Sequence, residues 1–461
     1  MMDSTKNETL KHQSNIGRLD DVSIHSWYRF VYAYSDRVIT GLADEFGITQ
    51  DDLILDPFNG TGTTTLAAKK LGIDAIGTDT SPASVLSART KTNWDVDLDE
   101  FRERRTELLD TLKPIFRQIG SGENKTLGDF STDDEEDVSL EKYDFTEPKK
   151  TPKGWLSEKP LKKMKVMKYH VEEMPEDEIT DIFKLAMIAI LPEDVGNVRF
   201  GPEATRDRKQ EGDKDVLLYF EQKLDQIEED LEKVQKTTNK DDIPTGEVEI
   251  IRGDARQIGD QLRNESTLLN SEKHNGEIDY LITSPPYPAE HDYTRNQRLE
   301  LIWLNAADDN KDLQKIKKAN IRSHTKNIYV ADNEGEQVNI RENERVDEIV
   351  SKMEQYIIDE DISHGFGNYY PRVVEEYFAG MQHHFEQVYD IMSSGGKAAY
   401  VVGDSGSYWQ FEIPTAKILA ELAEERVGFV DAEIKLWRNM AATTADYDDV
   451  EENILVLTKP E

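Results

Sequence analysis

Short apolar runs recur along this chain, and each stops at a carboxylate or a proline. Leu53-Ile54-Leu55 stops at Asp56, Asp74 to Gly77 leads to Asp79, and Val248 to Ile251 leads to Asp254. Ile278 to Ile282 runs into Thr283-Ser284-Pro285-Pro286-Tyr287. Unbroken apolar runs of this length read as strands covered on both faces, the pattern of a parallel sheet. Between them the spacing predicts helices near Asp36 to Phe46, over Thr63 to Leu71, from Ser81-Pro82 through Thr92, over Tyr369 to Met392 and over Ile413 to Glu425. Gly395-Gly396 is expected to end the long helical segment and to open a strand over Ala398 to Val402. Val430 to Trp437 and Asn453 to Leu457 read as a closing pair of strands. About seven strands interleaved with helices predict an α/β fold, a doubly wound sheet with ligands at the carboxyl ends of its strands.

Two stretches interrupt this rhythm. Residues 96–247 read as a mostly helical insertion, with helices over Asp97 to Ile119, Ile179 to Leu191 and Asp213 to Val234. Within it, Ser121 to Asp144 reads as a flexible acidic loop and Asn197 to Pro202 as a turn. Residues 306–366 read as irregular and charged. Residues 1–20 are polar and expected to be disordered. The aromatic stretch His25 to Ser35 reads as a core-covering segment or a lid over a ligand, with Ser35 available to cap the next helix. The expected division is therefore 1–20, a first catalytic part 21–95, the insertion 96–247, a second part 248–305, the irregular insertion 306–366 and a last part 367–461.

Charge changes the picture. The chain has 461 residues and a formal net charge of −37. An acidic surface repels phosphates unless contacts are local or salt screens it. A saline cytoplasm would reconcile the two, so a halophilic, cytoplasmic protein is the working expectation. No membrane span is expected, because no apolar run approaches about 20 residues. Cysteine is absent. That removes disulfides, thiolate metal sites and any cysteine nucleophile, and no metal is expected. Against this background Lys149 to His170 stands out as basic, with Lys162, Lys163 and Lys165 among eight lysines interleaved with Trp155 and Tyr169. Such a segment is either a solvated basic loop balancing acidic neighbours or a nucleic-acid contact. Arg295, Arg322 and Lys326 are further candidates for contacting DNA.

Chemistry concentrates in two motifs. Asp56-Pro57-Phe58-Asn59-Gly60-Thr61-Gly62-Thr63-Thr64 follows one strand, and Ser284-Pro285-Pro286-Tyr287 follows another. The first lacks the lysine of a P-loop, and Thr65 replaces the third glycine of a dinucleotide fingerprint. A nucleoside cofactor without a phosphate chain remains, with Asp79 placed to hold a ribose diol. The second motif is a stiff turn, because two prolines fix φ near −65° and cannot donate to a ladder.

Together these motifs resemble the amino-methyltransferases of DNA, the cytosine-N4 and adenine-N6 family. The resemblance implies a class I methyltransferase (Rossmann-like) fold, S-adenosyl-L-methionine as cofactor, and double-stranded DNA as substrate, with a cognate restriction endonuclease as a candidate partner. It implies that Asp56, Pro57, Phe58, Gly60, Gly62, Thr63, Asp79, Asp254 and Ala255 bind the cofactor. It also implies that Ser284, Pro285, Pro286 and Tyr287 hold the base. Transfer to an exocyclic amine needs no covalent intermediate, whereas methylation at cytosine carbon-5 needs a cysteine, which this chain lacks. The leading serine resembles the cytosine-N4 branch, and adenine-N6 is the runner-up. An RNA guanosine amine, a protein glutamine and a non-catalytic DNA-binding role are the other readings.

Overall fold

The computed structural model describes residues 22–29, 35–121, 139–200, 204–241, 243–328, 339–409, 411–440 and 450–461. The expected disorder of 1–20 and most of the acidic loop 121–144 lie outside these residues, as do 30–34 of the aromatic stretch.

Seven strands form one sheet: β1 (Leu53–Asp56), β2 (Asp74–Asp79), β3 (Val248–Arg252), β4 (Ile278–Thr283), β5 (Met392–Gly403), β6 (Val430–Met440) and β7 (Val450–Thr458), in spatial order β6-β7-β5-β4-β1-β2-β3. The first five pair in parallel, and β7 runs antiparallel between β5 and β6. This mixed sheet is the doubly wound α/β arrangement expected from the strand pattern, consistent with the class I methyltransferase fold that the resemblance implies. Strand order reverses between β1 and β4, so a crevice opens at their carboxyl ends. Both motifs sit there.

Alternation within the strands sorts the two faces. Ile54, Ala75, Ile282, Val401 and Val456 pack under helices α1 (Asp36–Phe46) and α2 (Thr63–Leu71). Leu53, Leu55, Ile76, Leu281, Tyr400 and Leu455 lie on the other face, where the covering side chains include Ile258, Val350, Phe378, Phe385 and Leu419. After β2, helix α3 (Pro82–Thr92) faces a separate core built by the insertion. That core comes from α4 (Leu98–Ser121), α5 (Glu158–Glu172), α6 (Glu178–Ile190) and α7 (Val216–Asp241), with Phe101, Met187 and Phe220 among its side chains. Trp27 and Tyr28 are buried in the same core, where the Trp27 indole donates to Asp230 at 2.9 Å and the Tyr28 hydroxyl to Glu300 at 3.1 Å. The core-covering role holds for this part of the aromatic stretch. Ser35 accepts from the Arg37 amide at 3.3 Å and caps α1 as expected.

Several local expectations are corrected. The basic segment is not a loop throughout, since Glu158–Glu172 is helical. Its valine, leucine and methionine side chains fall on the face turned to the insertion core, and that burial outweighs lysine repulsion. Where a turn was expected from Asn197 to Pro202, Val198–Arg199 pairs antiparallel with Thr205–Arg206, and Gly201 and Pro202 lie outside the described residues. Gly395 and Gly396 lie inside β5, at a register irregularity against β4. Residues 306–366 contain real helices beyond α8 (Ile258–Glu265), α9 (Tyr293–Asn296) and α10 (Arg298–Trp303). These are α11 (Asn310–Ala319) and α12 (Glu344–Asp359), followed by α13 (Tyr370–Ile391) and α14 (Thr415–Leu422). Asp309 and Asp312 close α11 with a capping box, and Asn343 caps α12. Among the described residues no helix is long and apolar enough to cross a membrane.

Candidate active site

The turn after β1 is shaped by its own acid. Asp56 is 1% exposed, and its carboxylate accepts from the Phe58 amide at 3.0 Å, from the Thr64 hydroxyl and from the Thr283 hydroxyl at 2.5 Å. Burial raises its pKa to about 6, against the pull of these donors. The Thr283 bond ties the first motif to the second, because Thr283 is the residue before Ser284. Asp56 therefore faces inward and acts as the joint between the two turns.

Beyond the joint, the glycine loop is pressed onto β2. The Asn59 amide donates to the Thr78 carbonyl at 2.9 Å, the Thr78 hydroxyl to the Pro57 carbonyl at 3.3 Å, and the Thr65 hydroxyl to the Asn59 side chain at 3.1 Å. Gly60 and Gly62 have φ of +50° and +93°, conformations that favour glycine. A Cβ at Gly60 would meet nothing within 4 Å, so the backbone there borders open space. At Gly62 it would meet Ala88 at 3.0 Å, so close packing as well as φ requires glycine. Thr63 is buried at the start of α2. Asp79 ends β2 and turns back to the loop: its carboxylate accepts from the Gly60 amide at 3.0 Å and the Ser81 amide at 2.8 Å. Burial raises its pKa to about 6. Under the same loop, the Lys91 ammonium reaches the carbonyls of Thr61 and Tyr28, each at 3.4 Å, and burial lowers its pKa to about 7. It is a buried strut, not a phosphate clamp.

On the other side of Asp79, Asp254 accepts from the Arg256 amide at 3.0 Å and from the Arg256 guanidinium at 2.6 Å. The Ala255 carbonyl accepts from Nδ1 of His384 at 3.0 Å. A carbonyl only accepts, so that nitrogen carries the proton and Nε2 takes the Tyr400 hydroxyl at 3.0 Å. Burial drives the His384 pKa down to about 4, so the ring is neutral. Phe58 meets it edge-on, with centroids 5.0 Å apart. An open glycine backbone, a carboxylate ending β2 and a neutral aromatic wall fit a nucleoside. The Asn59 side-chain nitrogen is buried without a partner among the described residues, a donor left over at this loop.

The proline turn is anchored from behind. The Ser284 hydroxyl donates to the Val401 carbonyl at 3.0 Å, which commits its only proton and leaves its lone pairs to accept. The Tyr287 hydroxyl lies 3.3 Å from Ser284 and donates to Glu452 at 2.9 Å. Glu452 is buried and also takes the Arg438 guanidinium at 2.5 Å. Burial, then the Glu452 charge, lifts the Tyr287 pKa well above the usual phenol value, so the phenol stays protonated. Pro285 is buried and Pro286 half-buried.

Sequence reasoning missed His384 and Glu452. The first lay in a helix read only as amphipathic, and the second in a closing strand. No local pattern marks either, because each acquires its role from a strand or turn far away in the chain.

The candidate DNA contacts divide. Arg295 and Lys326 line one cleft together. Arg322 is 4% exposed and paired with Glu376. Lys163 is 8% exposed and paired with Asp213 at 2.9 Å, and Lys162 pairs with Glu158 along the helix at 2.8 Å. Lys165 is half-buried on the same helix. Of these three lysines, only Lys163 is engaged inside the molecule, and Lys162 makes a surface pair along its own helix. Among the described residues no cluster of three or more His, Asp or Glu is placed to hold a metal.

Residues 29–89 match the model of a family described as DNA methylase. The chain is 27% identical over 322 residues to the type II methyltransferase M.BsoBI of Geobacillus stearothermophilus, covering 66% of this chain and 57% of that protein. It is 22% identical over 420 residues to M.AvaI of Nostoc sp., covering 88% and 79%. A 116-residue stretch is 30% identical to M.MjaII of Methanocaldococcus jannaschii, covering 24% and 20%. No solved structure matches.

Proposed function

We propose that this chain is an amino-methyltransferase of the N4/N6 family, as the match over residues 29–89 and the likeness to type II methyltransferases support, and that it methylates the exocyclic amine of a base in double-stranded DNA, cytosine-N4 in preference to adenine-N6. The observation that carries this reading is the 2.5 Å bond from Thr283 to Asp56, which locks the glycine loop and the proline turn side by side. S-adenosylmethionine, when bound, supplies a methyl carbon made electrophilic by its sulfonium. Asp79 keeps lone pairs for a ribose diol, while Asp254 and Ala255 flank the adenine ring. Phe58 closes that pocket against His384. Pro57, Gly60, Gly62 and Thr63 shape the backbone along the methionine side, and Asp56 acts there through the loop it holds.

Ser284 and the Pro285 carbonyl accept the two amine hydrogens of the base. This draws nitrogen electron density out of the ring and towards the methyl carbon. Pro286 keeps the turn stiff, and Tyr287 stacks on the base once it leaves the duplex, which costs a few kcal/mol for a paired base. Alignment of the amine with the carbon is then the main contribution to rate. Serine at 284 supports cytosine, since a neutral acceptor suits an amine without adding charge. The type II names of the relatives support a modification role beside a cognate endonuclease.

The test is incubation with labelled cofactor and duplex DNA, followed by nucleoside analysis. N4-methylcytosine is expected. N6-methyladenine would transfer the reading to the runner-up, and label confined to RNA or protein would overturn it. Ser284→Ala is expected to lower kcat about 10²-fold, by analogy with losing one preorganised transition-state hydrogen bond, with cofactor affinity unchanged.

A further inference from the structure

The last turn of α11 (Asn310–Ala319) lies where three distant parts of the site meet, and none of the groups assigned to the reaction lies on it. Carbonyls at the end of a helix have no partner inside it and carry the negative end of its dipole. The Lys318 carbonyl is one of them, and it accepts from the Arg256 guanidinium at 2.6 Å. The same guanidinium grips Asp254 with two nitrogens, Nε at 3.0 Å and Nη2 at 2.6 Å. A planar fork of this kind fixes a carboxylate in orientation as well as in place. Arg256 therefore hangs the acid that follows β3 from the end of α11.

Two further ties leave the same helix end. Asn320, just past α11, accepts from the Thr80 hydroxyl through its side-chain oxygen, and Thr80 follows Asp79. The Thr80 carbonyl in turn takes Nε of Arg252, the last residue of β3, at 3.1 Å. Lys317 reaches the other way, to Asp292 at 2.7 Å. Asp292 is 2% exposed and also accepts from the Arg295 amide at 3.1 Å, which caps α9. It lies five residues after Tyr287. The stretch 317–320 thus holds the residue after Asp79, the guanidinium on Asp254 and the chain leaving the proline turn.

We propose that the end of α11 is a clamp that sets the nucleoside carboxylates and the proline turn in one register, with Lys317, Arg256 and Asn320 as positioning residues. The inference rests on the reading that Asp79 and Asp254 hold the cofactor and that the turn holds a base. An ionised carboxylate offers about four acceptor sites, and the Arg256 side chain and amide take three of those on Asp254. An adenine amine at the remaining site pulls against Arg256, hence against the Lys318 carbonyl and the helix end that Lys317 ties to Asp292. Fixing that helix end for one ligand spares the other the cost. Cofactor then tightens DNA by the same factor as DNA tightens cofactor, because binding free energies are linked.

The experiment measures the affinity of the full chain for a labelled duplex that the wild type methylates, with and without saturating S-adenosylhomocysteine. That probe is the cofactor without its methyl group, so no transfer occurs during the titration. The wild type should bind the duplex at least about fivefold tighter with the probe than without it. Thr80→Val, which keeps the shape and loses the hydroxyl, and Lys317→Met should each bring that ratio below about twofold. Thr80→Ser and Lys317→Arg should restore it. Thermal unfolding is followed for each variant, because a merely structural role lowers the midpoint and leaves the ratio alone. If Lys317→Met does not fold, Thr80→Val decides. A wild-type ratio kept by either folded variant overturns the clamp alone, and so does a ratio near one in a wild type that methylates DNA. A wild type that methylates no duplex overturns the functional reading and the clamp with it.

Discussion

Glu452 governs the proline turn through one hydrogen bond to a phenol. Replacing it with glutamine keeps an acceptor for Tyr287 but removes the charge that also holds Arg438. Glu452→Gln should therefore lower kcat less than about tenfold, a barrier change under roughly 1.4 kcal/mol. Glu452→Ala should lower it further and leave cofactor affinity alone. Equal losses in both variants, or a change confined to KM, would show that Glu452 does not position the tyrosine. Asp79 gives a prediction in pH. Its folded pKa is raised from 3.8 to about 6 by burial. Only the ionised form offers both oxygens to a diol, so cofactor affinity should be flat above pH 7 and fall about tenfold per unit below pH 6. The sign for stability is opposite. A raised carboxyl pKa adds stability that is fully present below 3.8 and lost as pH rises through 6. Asp79→Asn should thus stabilise the empty protein at pH 8, by about 1–3 kcal/mol, while weakening cofactor binding and flattening its pH profile. Calorimetric titration and urea unfolding at pH 5 and pH 8, roughly one unit below and two units above that pKa, check both halves.

At the scale of elements, the glycine loop separates fold from function within three residues. Gly62→Ala must place a Cβ 3.0 Å from Ala88 at φ +93°, and should cost about 1–3 kcal/mol of stability by urea unfolding. Gly60→Ala meets no atom and carries only the strain of φ +50°, so its stability loss should be the smaller of the two and it should also weaken cofactor affinity, where the open space is filled. A larger stability loss at Gly60 than at Gly62 would contradict this division. The elements hardest to read were α11 and α12. Val346, Val350 and Met353 are buried on one side of α12, but charged residues outnumber them in Glu344–Asp359. Composition therefore argued for an irregular segment. The deciding signals were the caps, Asp309 with Asp312 and the single Asn343, whose side chain accepts from the Val346 amide at 3.1 Å. Asn343→Ala should destabilise the protein by about 1 kcal/mol.

For the whole molecule, charge and site pull in different directions. A surface of net charge −37 is best tolerated where salt screens it, within about 3 Å at 1 M ionic strength. Methyl transfer followed from dilute buffer to molar KCl should hold or rise, and an optimum in dilute buffer would remove the halophilic reading. The basic segment of the insertion illustrates why charge runs mislead. Lys163 is occupied by Asp213 and Lys168 by the Trp303 carbonyl, partners no local window contains.

The strand ends, the two motifs and the seven-strand count could be read from the chain alone, because buried strands and proline or glycine turns are specified by neighbours within a few residues. Which acid became a joint, which histidine packs against Phe58 and which glutamate steadies the tyrosine were decided only by the folded sheet. Those roles depend on atoms brought together across more than a hundred residues, and no local periodicity encodes such distances.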